Sequence, residues 1–250
     1  MKILSIDLDY IMSPTIQLYN DAFFDNNPLT RWNDLFNNTD FKENHLIIDQ
    51  SNLLFCFDTF LKSLKHCDSV SFGYEHDAIL FDIEKFTDID LINIDHHDDI
   101  LGGNYITDAV YNTEGALSKE YYDVCEGGRV NESNWVSWLS NEKKLKSYTW
   151  ICNQNSNKSK NFVTERIIPN YVTVEKENYQ FENYKFDHIH ICLSPQYTPK
   201  NHWHYFTMFI NTYEHFHEKN ARIENKKFEH DFRYRKIGNE ILYKRPNGWR

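Results

Sequence analysis

The chain is short of the residues that interrupt or cross-link a fold. Its 8 glycines and 6 prolines are spread over 250 residues with no Pro-, Gly- or Ser-rich linker among them, so one large domain with a well-buried core is expected. The 5 cysteines (Cys56, Cys67, Cys125, Cys152 and Cys192) are odd in number, scattered and never spaced as C-x-x-C, which points to reduced, mostly structural thiols. No apolar run approaches the roughly 18 to 20 residues of a transmembrane helix. The opening segment, Met1 to Asp7, is too short in its apolar part and too soon acidic for a signal peptide, so a cytoplasmic protein without a membrane partner is expected. Positive charge is scarce as well. Lys and Arg total 27 against 37 Asp and Glu, a net charge of -10, which argues against nucleic acid because backbone binding needs a cationic surface. The shortage is uneven: from residue 221 to 250 basic residues outnumber acidic ones, while the rest of the chain is strongly acidic and suits a cationic substrate.

What is present is a globular composition, 40% hydrophobic and 16% aromatic. Strands are expected at Lys2 to Tyr10, with Asp7 and Asp9 on one face, and then at Ser69 to Tyr74, Ile89 to Asp95, Tyr148 to Cys152, Tyr171 to Val174 and Phe186 to Leu193. Asp49 or Ser51 can cap a helix whose apolar positions are Leu53, Leu54, Phe57, Phe60, Leu61 and Leu64. Further helices are expected within Ile16 to Asn37, from Ser133 to about Lys146, and over Trp203 to Phe216. The irregular stretch between Asn104 and Val130 is a candidate pocket lining. Strands separated by helices predict an α/β fold in three layers, a mainly parallel sheet with helices on both faces. In such sheets the site lies beyond the carboxyl ends of the strands.

The run Asn93-Ile94-Asp95-His96-His97-Asp98-Asp99 closes an apolar segment with five consecutive metal-ligating side chains. Continued as a strand, it would send Asp95, His97 and Asp99 to one face and His96 and Asp98 to the other. Asp7, Asp9 and His76 stand at the ends of other expected strands. Four carboxylates and two imidazoles make a hard, oxygen-rich set that favours Mn(II) or another octahedral dication, and four aspartates carry the charge for two ions. Two such ions about 3.5 to 4 Å apart can share a hydroxide formed near neutral pH and present it to a planar electrophile. His188 and His190 alternate with Ile189 and Ile191 like a ligand pair, but they precede the strand end, and a solvated or hydrogen-bonded strand face is the better reading.

Three motifs, Asp95-x-His97-x-Asp99, Gly73-Tyr74-Glu75-His76-Asp77 and Ser5-x-Asp7-x-Asp9-x-x-x-Ser13-Pro14, resemble the metal motifs of the arginase and ureohydrolase superfamily. The resemblance implies an arginase-like fold over residues 1 to 220, with 221 to 250 a basic extension packed on it. It also implies two Mn(II) ions: one held by His76 and Asp99, the other by His97 and Asp9, with Asp95 and Asp7 bridging and Asp99 hydrogen-bonded to the shared hydroxide as the catalytic residue. The D-x-D strand comes first here, whereas ordinary arginases carry it late. That order, the D-x-H-H-D spelling and the Asn134-Trp135-Val136-x-Trp138-Leu139 segment are similar to a divergent branch that includes peptide arginases of ribosomal-peptide (RiPP) biosynthesis. The implied activity is hydrolysis of arginine side chains in a precursor peptide to ornithine and urea. Glu75, Glu114 and Glu126 are candidates for holding the guanidinium, and Asn134 and Ser194 for touching substrate, with helix capping the competing role for Asn134. A hydrolase of a small guanidino compound or amide, and a non-catalytic metal-containing binding module, are the alternatives.

Overall fold

Apolar residues alternate with polar ones in the first segment, Lys2–Asp7 (β1), and five of its six residues are buried. It lies third in a six-stranded sheet because strands on both sides can pair with it. The computed structural model describes residues 1–13, 32–33, 35–37, 42, 45–100, 132, 134–156, 158, 168–224, 234–237 and 240–243, with backbone alone beyond residue 216. In chain order these form β1, β2 (Met12–Ser13), β3 (Ile47–Ile48), α1 (Gln50–Leu64), β4 (Ser69–Gly73), α2 (Leu80–Ile83), β5 (Ile89–Asp95), α3 (Trp135–Asn141), β6 (Leu145–Cys152), β7 (Tyr171–Glu175), β8 (His188–Cys192), α4 (Trp203–Glu224), β9 (Tyr234–Ile237) and β10 (Glu240–Tyr243). The main sheet has the order β4-β8-β1-β5-β6-β7, and every pairing in it is parallel. The fold is therefore α/β in three layers, as the sequence predicts.

The sheet has two unlike faces. On one, Leu4, Ile6, Val70, Phe72, Ile92, Ile94, Ile189 and Ile191 form a continuous apolar layer against Leu53, Cys56 and Phe60 of α1 and Phe206, Phe209 and Ile210 of α4. Phe57 and Phe209 meet edge-on at 5.3 Å, and Phe72 and Phe206 at 5.9 Å. Each such fully buried side chain is worth roughly 1.5–3 kcal/mol. The other face is apolar on one side, where Ile3, Ile89, Leu91, Tyr148 and Trp150 pack with Ile79, Leu80 and Ile83 and with Trp135, Val136 and Leu139 of α3. It also carries buried polar residues, Ser5, Ser71, Asn93, His188 and His190, with His188 level with Ile3. Ser5 and Asn93 lead to Asp7 and Asp95 at the carboxyl ends of β1 and β5.

Several expectations change. The strand through the acidic run stops at Asp95, and Asp9 lies in a 3-10 turn, Leu8–Ile11, instead of continuing β1, because Asp7 caps that turn by accepting from Asp9 N at 3.2 Å. Side-chain alternation therefore does not align either set. In α1 the cap is Asp49, accepting from Asn52 N at 3.0 Å, and Leu54 and Leu61 are exposed at 66% and 36%. The α3 helix starts after Asn134, whose side chain makes no capping bond, and ends at Asn141, well short of Lys146. Lys143 there takes a left-handed φ of 55°, and Lys144 N donates to Leu139 O at 2.9 Å, a chain reversal that frees Leu145 to start β6 beside Ile89. The last helix runs past Phe216 to Glu224, into the basic segment expected to begin at 221.

Candidate metal centre

The six residues of the expected ligand set are carried to one place by three backbone devices: strand ends, 3-10 turns and the bend after β5. Asp7 ends β1, Asp9 follows in the 3-10 turn, His76 opens the 3-10 turn His76–Ile79 just after β4, and Asp95 ends β5. His97 and Asp99 lie in the bend after β5, and Asp99 has a left-handed φ of 50°, which turns its carboxylate back toward His76. Asp7, Asp9, His76, Asp95 and Asp99 are all at most 5% exposed, while the His97 side chain is 21% exposed and forms the open side.

Three carboxylate oxygens converge on His76 Nδ1: Asp99 Oδ2 at 2.7 Å, Asp95 Oδ2 at 3.0 Å and Asp7 Oδ2 at 3.2 Å. None lies in a hydrogen-bonding direction from that nitrogen, which has no partner. On the other side of Asp95, His97 Nδ1 stands 2.8 Å from Asp9 Oδ2 and 4.0 Å from Asp95 Oδ1. Octahedral ligands at about 2.1 Å from a dication are about 3.0 Å apart when adjacent and about 4.2 Å apart when opposite. The separations here, 2.7 to 3.2 Å and 4.0 Å, lie near those two values. Two groups therefore form, Asp7–His76–Asp95 and Asp9–Asp95–His97, and they share Asp95, whose two oxygens divide between them. The donor set fits a metal: among the described residues no Lys or Arg is paired with any of these carboxylates, and Asp9 Oδ2 and His97 Nε2 are buried without hydrogen-bond partners.

Electrostatics tell the same story. Burial, then Asp7 and Asp95, push Asp9 up to about 8 against the pull of His97. Burial and Asp95 raise Asp99 well above the usual carboxylate range. Burial opposes the charging of His76, yet Asp99, Asp7 and Asp95 outweigh it and raise the imidazole well above 6.5. His97 is likewise carried, against burial, up to about 10 by Asp9 and Asp95. Asp95 alone is held below its ordinary range, because His76 and His97 outweigh its burial. The site is thus a buried cluster of like charge that protons neutralise when cations do not.

A second ring of donors orients these groups. Trp135 Nε1 donates to Asp99 Oδ2 at 2.7 Å, and its ring lies 5.0 Å from that of His76. Ser5 Oγ is hydrogen-bonded to His76 Nε2 at 2.6 Å, and Asn93 Nδ2 donates to Asp95 Oδ2 at 3.1 Å. Ser194 Oγ donates to Asp7 Oδ2 at 2.5 Å from a left-handed backbone, φ 44°. Ser194, expected at the substrate, is therefore bound to a ligand carboxylate. The ring of Tyr197 stands 4.6 Å from His97 at the open side.

The remaining expectations divide. Glu75, half-buried, directly precedes His76, whereas Asn134 is buried at the start of α3. Glu114 and Glu126 lie outside the described residues, as does Cys125. His96 and Asp98 are not thrown to an opposite face: His96 N donates to Asp9 Oδ1 at 3.3 Å and its ring lies 4.7 Å from His97, while burial pushes Asp98 up to about 6. His188 and His190 are hydrogen-bonded to serines, as expected of a polar strand face, but both are wholly buried and neither is solvated. Trp135 and Ser5 stand in the sequence motifs without a site role of their own, since a buried tryptophan reads as core, and Tyr197 carries no signal. No helix among the described residues is long and apolar enough to cross a membrane. No protein-family model, curated sequence or solved structure matches the chain.

Proposed function

We propose that the protein is a binuclear metal-dependent hydrolase of guanidino groups that converts arginine side chains of a precursor peptide to ornithine with release of urea. The observation that carries this reading is the shared carboxylate of Asp95, flanked by two histidine-containing ligand groups. Mn(II) suits the oxygen-rich, six-ligand arrangement. The resemblance of the three ligand motifs to the arginase superfamily supplies the substrate class, and the acidic body agrees with a cationic one.

When bound, a pair of divalent cations supplies a nucleophile at neutral pH and stabilises negative charge developing at the attacked carbon. The chain's own groups do the rest. His76, Asp99, Asp7 and Asp95 would hold one ion, and His97, Asp9 and Asp95 the other. Asp99 would hold the proton of the attacking water on Oδ1, since Oδ2 accepts from Trp135 Nε1. Attack on the guanidinium carbon forms a carbon–oxygen bond, and cleavage of its bond to the side-chain nitrogen releases urea, that nitrogen leaving with the proton. Substrate approaches past His97 and Tyr197, where the centre is open, and the half-buried Glu75 beside His76 in the chain is the carboxylate offered to the cation.

The test is to incubate the manganese-loaded protein with free arginine and with arginine-containing peptides, and to assay urea and ornithine. Urea from peptides alone is expected. Urea from free arginine would move the substrate to a small guanidino compound, and silence on both with metal bound would leave a binding module. Asp95→Asn, which keeps the side chain's shape, is expected to abolish metal-dependent turnover; unchanged activity would refute the assignment.

A further inference from the structure

The amino-terminal half of β8 carries a second meeting of ligand atoms that shares no residue with the Asp95 centre. His188 and His190 project from the same face of β8, and the parallel register sets Ser69 and Ser71 of β4 beside them. His188 Nδ1 is 2.8 Å from Ser69 Oγ, His188 Nε2 is 2.9 Å from Ser71 Oγ, and His190 Nδ1 is 2.8 Å from the same Ser71 oxygen. From α2, Asp82 brings Oδ2 to 3.8 Å from His188 Nε2, and ligand atoms of Asp82, His188 and His190 all lie within 4.8 Å of one another.

We propose that Asp82, His188, His190 and Ser71 form a separate binding site for one divalent ion of the zinc class, held by His188 Nε2, His190 Nδ1, the Asp82 carboxylate and Ser71 Oγ. Hydrogen-bond direction supports this. Ser69 donates its hydroxyl proton to Asp187 O at 3.3 Å, so it accepts from His188 Nδ1–H, which leaves His188 Nε2 with a bare lone pair facing Ser71 and Asp82. A ligating histidine is oriented in this way, by an oxygen partner on its other nitrogen. The ring of His190 sits in a place built for it: a Cβ at Gly73 would come within 2.8 Å of its Cε1 and Nε2. His190 is wholly buried, and Nδ1 is the ring atom turned toward Ser71. Two nitrogens and two oxygens suit a tetrahedral ion, whose ligand atoms lie about 3.3 Å apart at bond lengths of about 2.0 Å. Asp82, at the solvent side with its side chain 17% exposed, closes the remaining gap by a small swing and leaves a path of entry. One carboxylate and two imidazoles are softer than the aspartate-rich centre, so the two sites differ in the metal they select.

The full-length protein loaded with Co(II) tests the site, with bound metal counted per chain by mass spectrometry and the visible spectrum recorded. The expected result is one ion beyond those of the Asp95 centre, with the intense visible band of tetrahedral cobalt. His188→Gln and, separately, Asp82→Asn are expected to remove that band and that ion. Asp95→Asn is expected to leave the band in place, so failure of the hydrolase reading and failure of this one are told apart. Asp82 is partly exposed, and an unchanged circular dichroism spectrum of Asp82→Asn shows that loss of the ion is not loss of the fold. Wild-type protein with no such ion or band, or a band that survives in both variants, overturns the proposal.

Discussion

Asp99 is held at one oxygen by the indole of Trp135, a single bond of 2.7 Å that decides which oxygen stays available for chemistry. Loss of an oriented partner of this kind costs about 10–100-fold in metal affinity. Trp135→Phe removes the donor and part of the buried ring, so it is expected to weaken manganese binding by that factor in a metal titration and also to lower the metal-free melting temperature. Protonation gives a second expectation at this scale. Asp9 rises from 3.8 to about 8 and His97 from 6.5 to about 10 in the folded protein. Groups with raised values bind protons more tightly when folded, so their contribution is present below 3.8 and 6.5 respectively and is lost as pH climbs through about 8 and about 10. The melting temperature of metal-free protein is expected to fall between about pH 6 and pH 10, with the gain on adding manganese growing over the same range. Ligand identity was legible at this scale, since the D-x-D and D-x-H-x-D spellings are local. The reason they converge was not: Asp9 and Asp99 reach the centre through a 3-10 turn and a left-handed residue, not through strand alternation. Trp135 and Ser194 act through tertiary contacts, and their spelling carries no mark of it.

Among the elements, α3 shows what a short pattern leaves open. Its apolar spacing marks the helix, but its end is set by Lys143 at φ 55°, a conformation that disfavours side chains, and by the bond from Lys144 N to Leu139 O. Glycine at this position removes the strain at some entropic cost in the unfolded chain, so Lys143→Gly is expected to stabilise the protein by about 0.5–1 kcal/mol in denaturant unfolding. The α1 helix was readable at its cap, Asp49, and along its inner positions, Leu53, Phe60 and Leu64. Leu54 and Leu61 were misplaced because a run of apolar residues this dense satisfies more than one helix face, and only the position of α4 and the sheet selects between them.

For the whole molecule, the parallel sheet was foreseeable from strands alternating with helices, but strand order was not. Placing β8 between β4 and β1 depends on long-range pairing, and it is this order that sets Asp7 and His76 on either side of the loop bearing Ser194. Because the centre concentrates four buried carboxylates, cation removal acts on the entire fold. At a free metal concentration of about 100 times Kd, one site contributes about 2.7 kcal/mol, or roughly 5–10 °C for a domain of this size. A chelator is expected to lower the melting temperature by at least that much in a calorimetric scan, and manganese to restore it. The two faces of the sheet also bear on how the gene can change. Where Ile6, Ile94 and Ile191 face α1 and α4, exchange among aliphatic side chains of similar volume preserves the core. Where Ser5, Ser71, Asn93 and His190 face inward, each partner is specified by direction as well as size, and a replacement strands the atom it served. A saturation library selected for folded protein should therefore read as two interleaved records along every central strand, permissive at one residue and nearly silent at the next.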